Sequence, residues 1–335
     1  MAELNENIQS GFQKYRRFIV KVLLFSLLLV VLDFVVGSVI RHYFDQQKYG
    51  RLYRASYVIK ETKADILIFG SSRAAFQYIP SIFEKRLHKS CYNAGSVAQY
   101  LIFNYAVFSS TIQRYAPKVV ILDLAPGEFQ YSADEYARLS LLLPFYKDSP
   151  EIRPILEARS KYEKYKFLSS CYPFNSLLVL IASGNSDAFG KARPNDNGYS
   201  PLIGKSWDKP IEEYSVDKEA ITPYKIDLLN KFITLCEKSK TKLYIVCSPT
   251  FMAHIKKDPS MHIWESIAKK RKVTCFNYSE DTTFTKPVGL FYDTMHLNGE
   301  GATIFTNKLI DRMLLEMGRG DSLSIEDDFG VMDKK

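Results

Sequence analysis

Five short apolar runs, rich in β-branched and aromatic residues, alternate along the chain with longer amphipathic stretches, and that alternation leaves few folds open. The runs occupy residues 65–69 (DILIF), 90–93 (SCYN), 119–124 (VVILDL), 242–247 (KLYIVC) and 272–278 (KVTCFNY). Helical stretches lie between or after them at 80–88, 100–115, 223–238, 260–270 and 299–317. Parallel strands need a crossover, and the crossover helix covers a face of the sheet, so its strands read as continuous apolar runs. The expected class is α/β: a three-layer α/β/α domain over 65–317 with a mainly parallel sheet. In such sheets the reacting groups gather at the carboxyl ends of the strands.

A second constraint lies upstream. Residues 18–40 read FIVKVLLFSLLLVVLDFVVGSVI, and the nineteen residues from Val22 to Ile40 carry one charge, Asp33. At 1.5 Å rise they extend about 28 Å, nearly the thickness of a hydrocarbon core. A cleaved signal peptide is the rival reading, but VVGSVIRHY offers a poor cleavage site and the apolar stretch is long. The expectation is one transmembrane helix at 18–40, after a cytoplasmic tail at 1–17 and before a polar connector at 41–64. Lys14, Arg16, Arg17 and Lys21 lie closer to the span than Arg41, Lys48, Arg51 and Arg54, which favours an N-terminus in the cytoplasm. The body is then extracytoplasmic, periplasmic or on the cell surface. Asp33 inside the span either meets a helix partner or sits off-centre toward the interface.

Hydrophobic residues make up 46% and charged residues 24% of the 335, enough apolar content to bury a core. The net charge of +8 is spread along the chain, so a nucleic-acid partner is not expected. Five cysteines form no CxxC or Cys/His cluster at zinc spacing, and no metal is expected. A Tyr-rich stretch at 130–222 interrupts the strand–helix rhythm and reads as an insertion, with helix-like patches at 140–145, 150–165 and 175–181. Its tyrosines either stack on sugar rings or pack its own helices. Residues 318–335 are polar and acidic and read as a disordered tail.

Two motifs carry chemistry. The first apolar run leads directly into Gly70-Ser71-Ser72-Arg73. A glycine there permits a tight turn, and a serine after it can stand at a helix start whose amides hold an oxyanion. The structural alternative is a turn in which Ser72 caps the following helix. Near the other end, Asp293 and His296 lie three apart, just before Asn298-Gly299-Glu300-Gly301. That spacing can set a carboxylate on imidazole Nδ1 while Nε2 faces a nucleophile. The alternative is an aspartate capping the last helix beside a surface histidine. Arg73 either binds an anionic substrate group or pairs with a carboxylate such as Glu128.

Taken in order, strand–GSSR, four further strands and then DxxH before the last helix, the chain resembles the SGNH (GDSL-like) hydrolase superfamily, a flavodoxin-like fold. It is most similar to the membrane-anchored GSSR branch that includes the teichoic-acid D-alanylation protein and envelope-glycan O-acyl transfer proteins. The resemblance implies Ser72 as nucleophile, His296 as base and Asp293 as its orienter, with no cofactor. It implies oxyanion or substrate-binding positions at Gly70, Gly95, Ala98, Arg73 and Gly127. Ala98 stands where the second block usually ends in glycine, and Gly127 where the third block usually supplies an asparagine. The implied activity is that of a serine esterase or O-acyltransferase on ester-linked acyl groups of an extracytoplasmic glycan or envelope polymer. The alternative is a non-catalytic assembly or binding partner of a polytopic membrane acyltransferase or exporter, favoured by the missing asparagine and by Asp33.

Overall fold

The computed structural model describes residues 2–188, 197–204, 221–251, 258–285 and 288–320; most of the acidic tail lies outside them. Five strands form one all-parallel sheet: β1 (Ile66–Phe69), β2 (Cys91–Asn93), β3 (Val119–Asp123), β4 (Lys242–Cys247) and β5 (Thr274–Asn277). Their order is β2-β1-β3-β4-β5. Ile68 pairs with Asn93 on one side and Ile121 on the other, which fixes the register at the middle of the sheet. The chain runs outward from β1 to β2 and then returns to the far side of β1. The strand order therefore reverses between β1 and β3, and open α/β sheets place their sites at such a reversal.

Side chains alternate along each strand with period two, and the core divides accordingly. Leu67, Phe69, Val120, Leu122 and Ile245 join one apolar cluster with Leu52, Phe108, Phe232 and Trp264. These come from helices Gly50–Lys60, Leu101–Thr111, Pro223–Lys238 and Pro259–Arg271. Ile66, Ile68, Ile121, Tyr244 and Val246 join the other cluster with Phe83, Phe305 and Leu309, from helices Pro80–Leu87 and Gly299–Gly320. Both faces of the sheet are thus covered, as strands apolar on both sides require.

Residues 41–64 are more than a connector. The first helix continues to Asp45, and Gly50–Lys60 is a helix whose Leu52, Ala55, Val58 and Ile59 are buried. Between β3 and β4 the described part of the insertion is a series of short pieces: Ala133–Arg138, a 3-10 segment Leu139–Phe145, Arg153–Glu157, Glu163–Lys166, a 3-10 segment Tyr172–Phe174 and Leu178–Gly184.

The first helix, Ala2–Asp45, contains within Gln13–Asp45 an eighteen-residue window of mean hydropathy 2.8, long and apolar enough to cross a membrane. From Phe18 to Leu32 its large apolar side chains face outward on every side, whereas Phe44 is buried in the body. Asp33 has its partners within the chain: the insertion residues Ser169, Ser170 and Cys171 donate to its carboxylate. Of the basic residues that follow the apolar run, Arg51 donates to the Val97 carbonyl and Arg54 to Ser200 Oγ, so both belong to the body.

Candidate active site

β1 ends at Phe69, and the chain turns through Gly70 at φ +152°. A Cβ at Gly70 would lie 2.7 Å from Ala74 Cβ and 3.0 Å from Asp123, so both backbone angle and space demand glycine. Helix Ser72–Gln77 follows at once. Its N-cap is Ser71, whose Oγ accepts from Arg73 N at 3.4 Å. Ser72 therefore does not cap the helix, and its hydroxyl is left for another partner.

That partner comes from 224 residues away. His296 Nε2 lies 2.7 Å from Ser72 Oγ, and His296 Nδ1 lies 2.8 and 2.9 Å from the two Asp293 oxygens. The Asp293 carboxylate also accepts from the amides of Met295 and His296, each at 2.8 Å. Burial pulls the Asp293 carboxyl upward, but the hydrogen bond and charge of His296 and the two amides outweigh it and hold it below the ordinary 3.8. An ionised carboxylate only accepts, so in the neutral ring the proton sits on Nδ1 and Nε2 accepts from the Ser72 hydroxyl. The His296 side chain is 18% exposed, which keeps the dyad partly dry while leaving the serine open to a ligand.

The loop that presents the pair is pinned from several sides. Tyr292 N donates to the His296 carbonyl at 2.8 Å, and Phe291 bridges Leu297. Gln77 Nε2 donates to the Met295 carbonyl at 3.1 Å, while Thr250 Oγ1 and Phe251 N donate to the Thr294 carbonyl at 3.1 and 2.9 Å. Phe76 meets the His296 ring edge-on at 5.4 Å. Asn298 caps the last helix, its Oδ1 accepting from Gly301 N at 3.0 Å. Asp293 is therefore not that helix's cap.

The other positions named from the sequence divide. The Ala98 amide makes no hydrogen bond among the described residues, and Ala98 adopts φ 59° in the turn after β2. Two residues earlier, Ser96 N donates to the Gly70 carbonyl at 3.0 Å, which ties that turn to the nucleophile turn. The Ser72 amide, first in its helix, likewise has no acceptor within the helix. Gly95, Gly127 and Arg73 are corrections to the sequence reading. Gly95 N donates to Asn93 Oδ1 at 2.9 Å, and a Cβ there would stand 2.5 Å from Ala75 N, so this glycine serves close packing. Gly127 N donates to the Asp258 carboxylate and is not free for substrate.

Arg73 is fully buried and does not reach the surface, nor is Glu128 its partner. Its guanidinium donates to Ser248 Oγ at 3.0 Å, to the Ser248 carbonyl and to Cys247 Sγ, and lies 3.8 Å from Asp123. Burial drives the guanidinium pKa down, but Cys247 and Asp123 more than restore it, so the cation persists. Asp123 in turn accepts from the Tyr78 hydroxyl at 2.8 Å and Ser248 N at 2.9 Å. This buried cluster beneath the nucleophile joins the carboxyl ends of β1, β3 and β4. Only Arg73 of it was visible in the sequence, because Tyr78, Asp123 and Ser248 carry no motif. Glu128 instead accepts from Leu101 N at 2.6 Å and Ala125 N at 2.9 Å.

Among the described residues no group of His, Cys, Asp and Glu is arranged to hold a metal ion. Compared with known proteins, the chain matches no family model and no curated protein.

Proposed function

We propose that the chain is an SGNH-type serine esterase or O-acyltransferase, anchored in a membrane by its first helix. Its substrates would be ester-linked acyl groups of an extracytoplasmic glycan or cell-envelope polymer. The observation that carries the reading is the continuous contact from Ser72 Oγ through the His296 ring to the Asp293 carboxylate. The parallel sheet covered on both faces supports the three-layer α/β/α order of that superfamily.

The chemistry follows from the contacts. Ser72 Oγ attacks the ester carbonyl carbon while His296 Nε2 takes its proton, and Asp293 stabilises the imidazolium that forms. The tetrahedral oxyanion is held by the amides of Ser72 and Ala98, neither of which has a backbone acceptor among the described residues. Its collapse expels the alcohol, which leaves with the proton from Nε2, and Ser72 carries the acyl group. Water, or a hydroxyl of an acceptor sugar, then attacks the acyl-enzyme by the same steps in reverse. With Gly127 committed to Asp258, that position supplies no third donor of the superfamily pattern. Loss of one such donor typically lowers turnover about 100- to 1,000-fold. The non-catalytic assembly reading keeps that support, but Asp33 no longer argues for a partner helix.

Release of acid from a model acetyl ester by the full chain in detergent tests the reading. Measurable turnover is expected, reduced to background in Ser72→Ala. Release that persists in Ser72→Ala removes the assignment of the nucleophile, and absence of turnover in the parent chain favours the assembly role.

A further inference from the structure

Asp33 lies inside the apolar run, and the insertion meets it there. Ser169 Oγ and Ser170 N each donate to its carboxylate at 2.6 Å, and Cys171 N donates at 3.3 Å. One turn further on, a Cβ added to Gly37 would stand 2.6 Å from Ser170, so loop and helix are in direct contact. At 1.5 Å per residue, Asp33 stands about 10 Å on the membrane side of Ile40, where the apolar run ends. The helix cannot slide to bring Asp33 to the surface, because Lys14, Arg16, Arg17 and Lys21 would have to enter hydrocarbon at the other end. From Phe18 to Asp33 the rise is only about 22 Å, short of a hydrocarbon core of about 30 Å. The loop that holds Asp33 is therefore carried below the surface with it.

The residues around that loop suit such a place. Leu168 and Val179 are 84% and 81% exposed in the protein alone, and Leu178 is also exposed. Beside them stand exposed Tyr162 and Tyr165, with Lys161 Nζ 4.9 Å and Lys164 Nζ 5.0 Å from their ring centres. Tyrosine rings and lysines around protruding aliphatic tips are the composition of a membrane–water interface. A crevice of about 230 Å³ opens between helix and insertion, with Phe34, Gly37, Leu143, Phe167 and Phe174 among its walls.

We propose that the 162–180 edge of the insertion is immersed in the lipid leaflet on the body's side, with phospholipid covering Leu168, Leu178 and Val179. The proposal rests on the reading of the first helix as a membrane span. It depends on no other protein, since continuity with the lipid-facing helix and the lysine–tyrosine rim together specify lipid. A depth of about 5–10 Å is that of interfacial segments in general.

Tryptophan placed on this edge reports its surroundings directly. Leu168→Trp and Val179→Trp, made separately, alter exposed side chains and leave the core untouched. Each full-length variant is reconstituted alone into phosphatidylcholine–phosphatidylglycerol vesicles with brominated acyl chains, and the parent chain's emission is subtracted. Val30→Trp on the first helix and Leu315→Trp on the last helix are the references. Both edge tryptophans are expected to be blue-shifted and quenched several-fold more than position 315, approaching position 30. Quenching at 30 with 168 and 179 no different from 315 would overturn the immersion, leave the span intact and free the edge for a protein partner. No quenching at position 30 either would overturn the span itself, and the immersion with it.

Discussion

His296 stands between a carboxylate that can only accept and a hydroxyl that can donate, and this asymmetry assigns its tautomer. Asp293→Asn keeps Oδ1 for the amides of Met295 and His296 but sets an NH2 group at the second oxygen's place, 2.9 Å from Nδ1. It removes the charge that stabilises the imidazolium, and the NH2 group favours the ring tautomer with its proton on Nε2, which cannot take one from Ser72. In serine proteases this exchange costs on the order of 10,000-fold, and a loss approaching that size is expected in ester turnover. The unfolding temperature should change little, because side-chain volume and loop bonds are kept. Because the Asp293 carboxyl is held below its ordinary 3.8, its ionised form is lost only as pH falls through that lower range. The defect should therefore be present across the whole neutral range, and a variant with near-parental turnover would make the pair a structural feature. Ser72, Asp293 and His296 were legible because each motif keeps its spacing wherever the fold brings it. The caps were not: Ser71 and Asn298 take the roles that sequence alone also allowed for Ser72 and Asp293. Nor was the burial of Arg73, since a cation beside a nucleophile reads first as a substrate contact.

At the level of elements, the strands were legible because short apolar runs, most of them β-branched, alternate with helical stretches and so fit a parallel sheet and little else. Helix Gly50–Lys60 was harder to see, its buried Leu52, Ala55, Val58 and Ile59 being spread among tyrosines and arginines. The insertion's pieces are too short for a periodic signal, and the two short helices Arg153–Glu157 and Glu163–Lys166 occupy what read as one. Glu128 shows how such elements are joined. Its carboxyl links the start of helix Leu101–Thr111 to the turn after β3, and burial pushes it up to about 7 despite Lys225 nearby. A carboxyl raised on folding holds a proton that the unfolded chain has released. Stability is thus greatest below the ordinary 4.5 and falls as pH rises toward about 7, by at most about 3 kcal/mol. Denaturant unfolding of the full chain in detergent from pH 4.5 to 8 is expected to show that decline, flattened in Glu128→Gln. An equal slope in the variant would remove Glu128 as its source.

At the scale of the molecule, the reversal of strand order between β1 and β3 is what places Gly70, Asp123 and the DxxH loop together. The order of motifs pointed to a sheet edge, but the buried cluster of Arg73, Tyr78, Asp123 and Ser248 required three strands in register. The first helix carries its own prediction. With Arg51 and Arg54 assigned to the body, the basic residues before the span outweigh those after it, so the body should face away from the cytoplasm. A reporter active only outside the cytoplasm, fused at the C-terminus, should be active; activity of a cytoplasm-only reporter instead would exclude an extracytoplasmic polymer as substrate. The claim on which the rest depends is that Ser72 is an activated nucleophile. A fluorophosphonate probe, followed by peptide mapping of the full chain, measures this most directly. The account predicts one adduct on the peptide bearing Ser72, absent in Ser72→Ala and strongly slowed in His296→Ala. An unlabelled parent chain, or an adduct that survives Ser72→Ala, would contradict it.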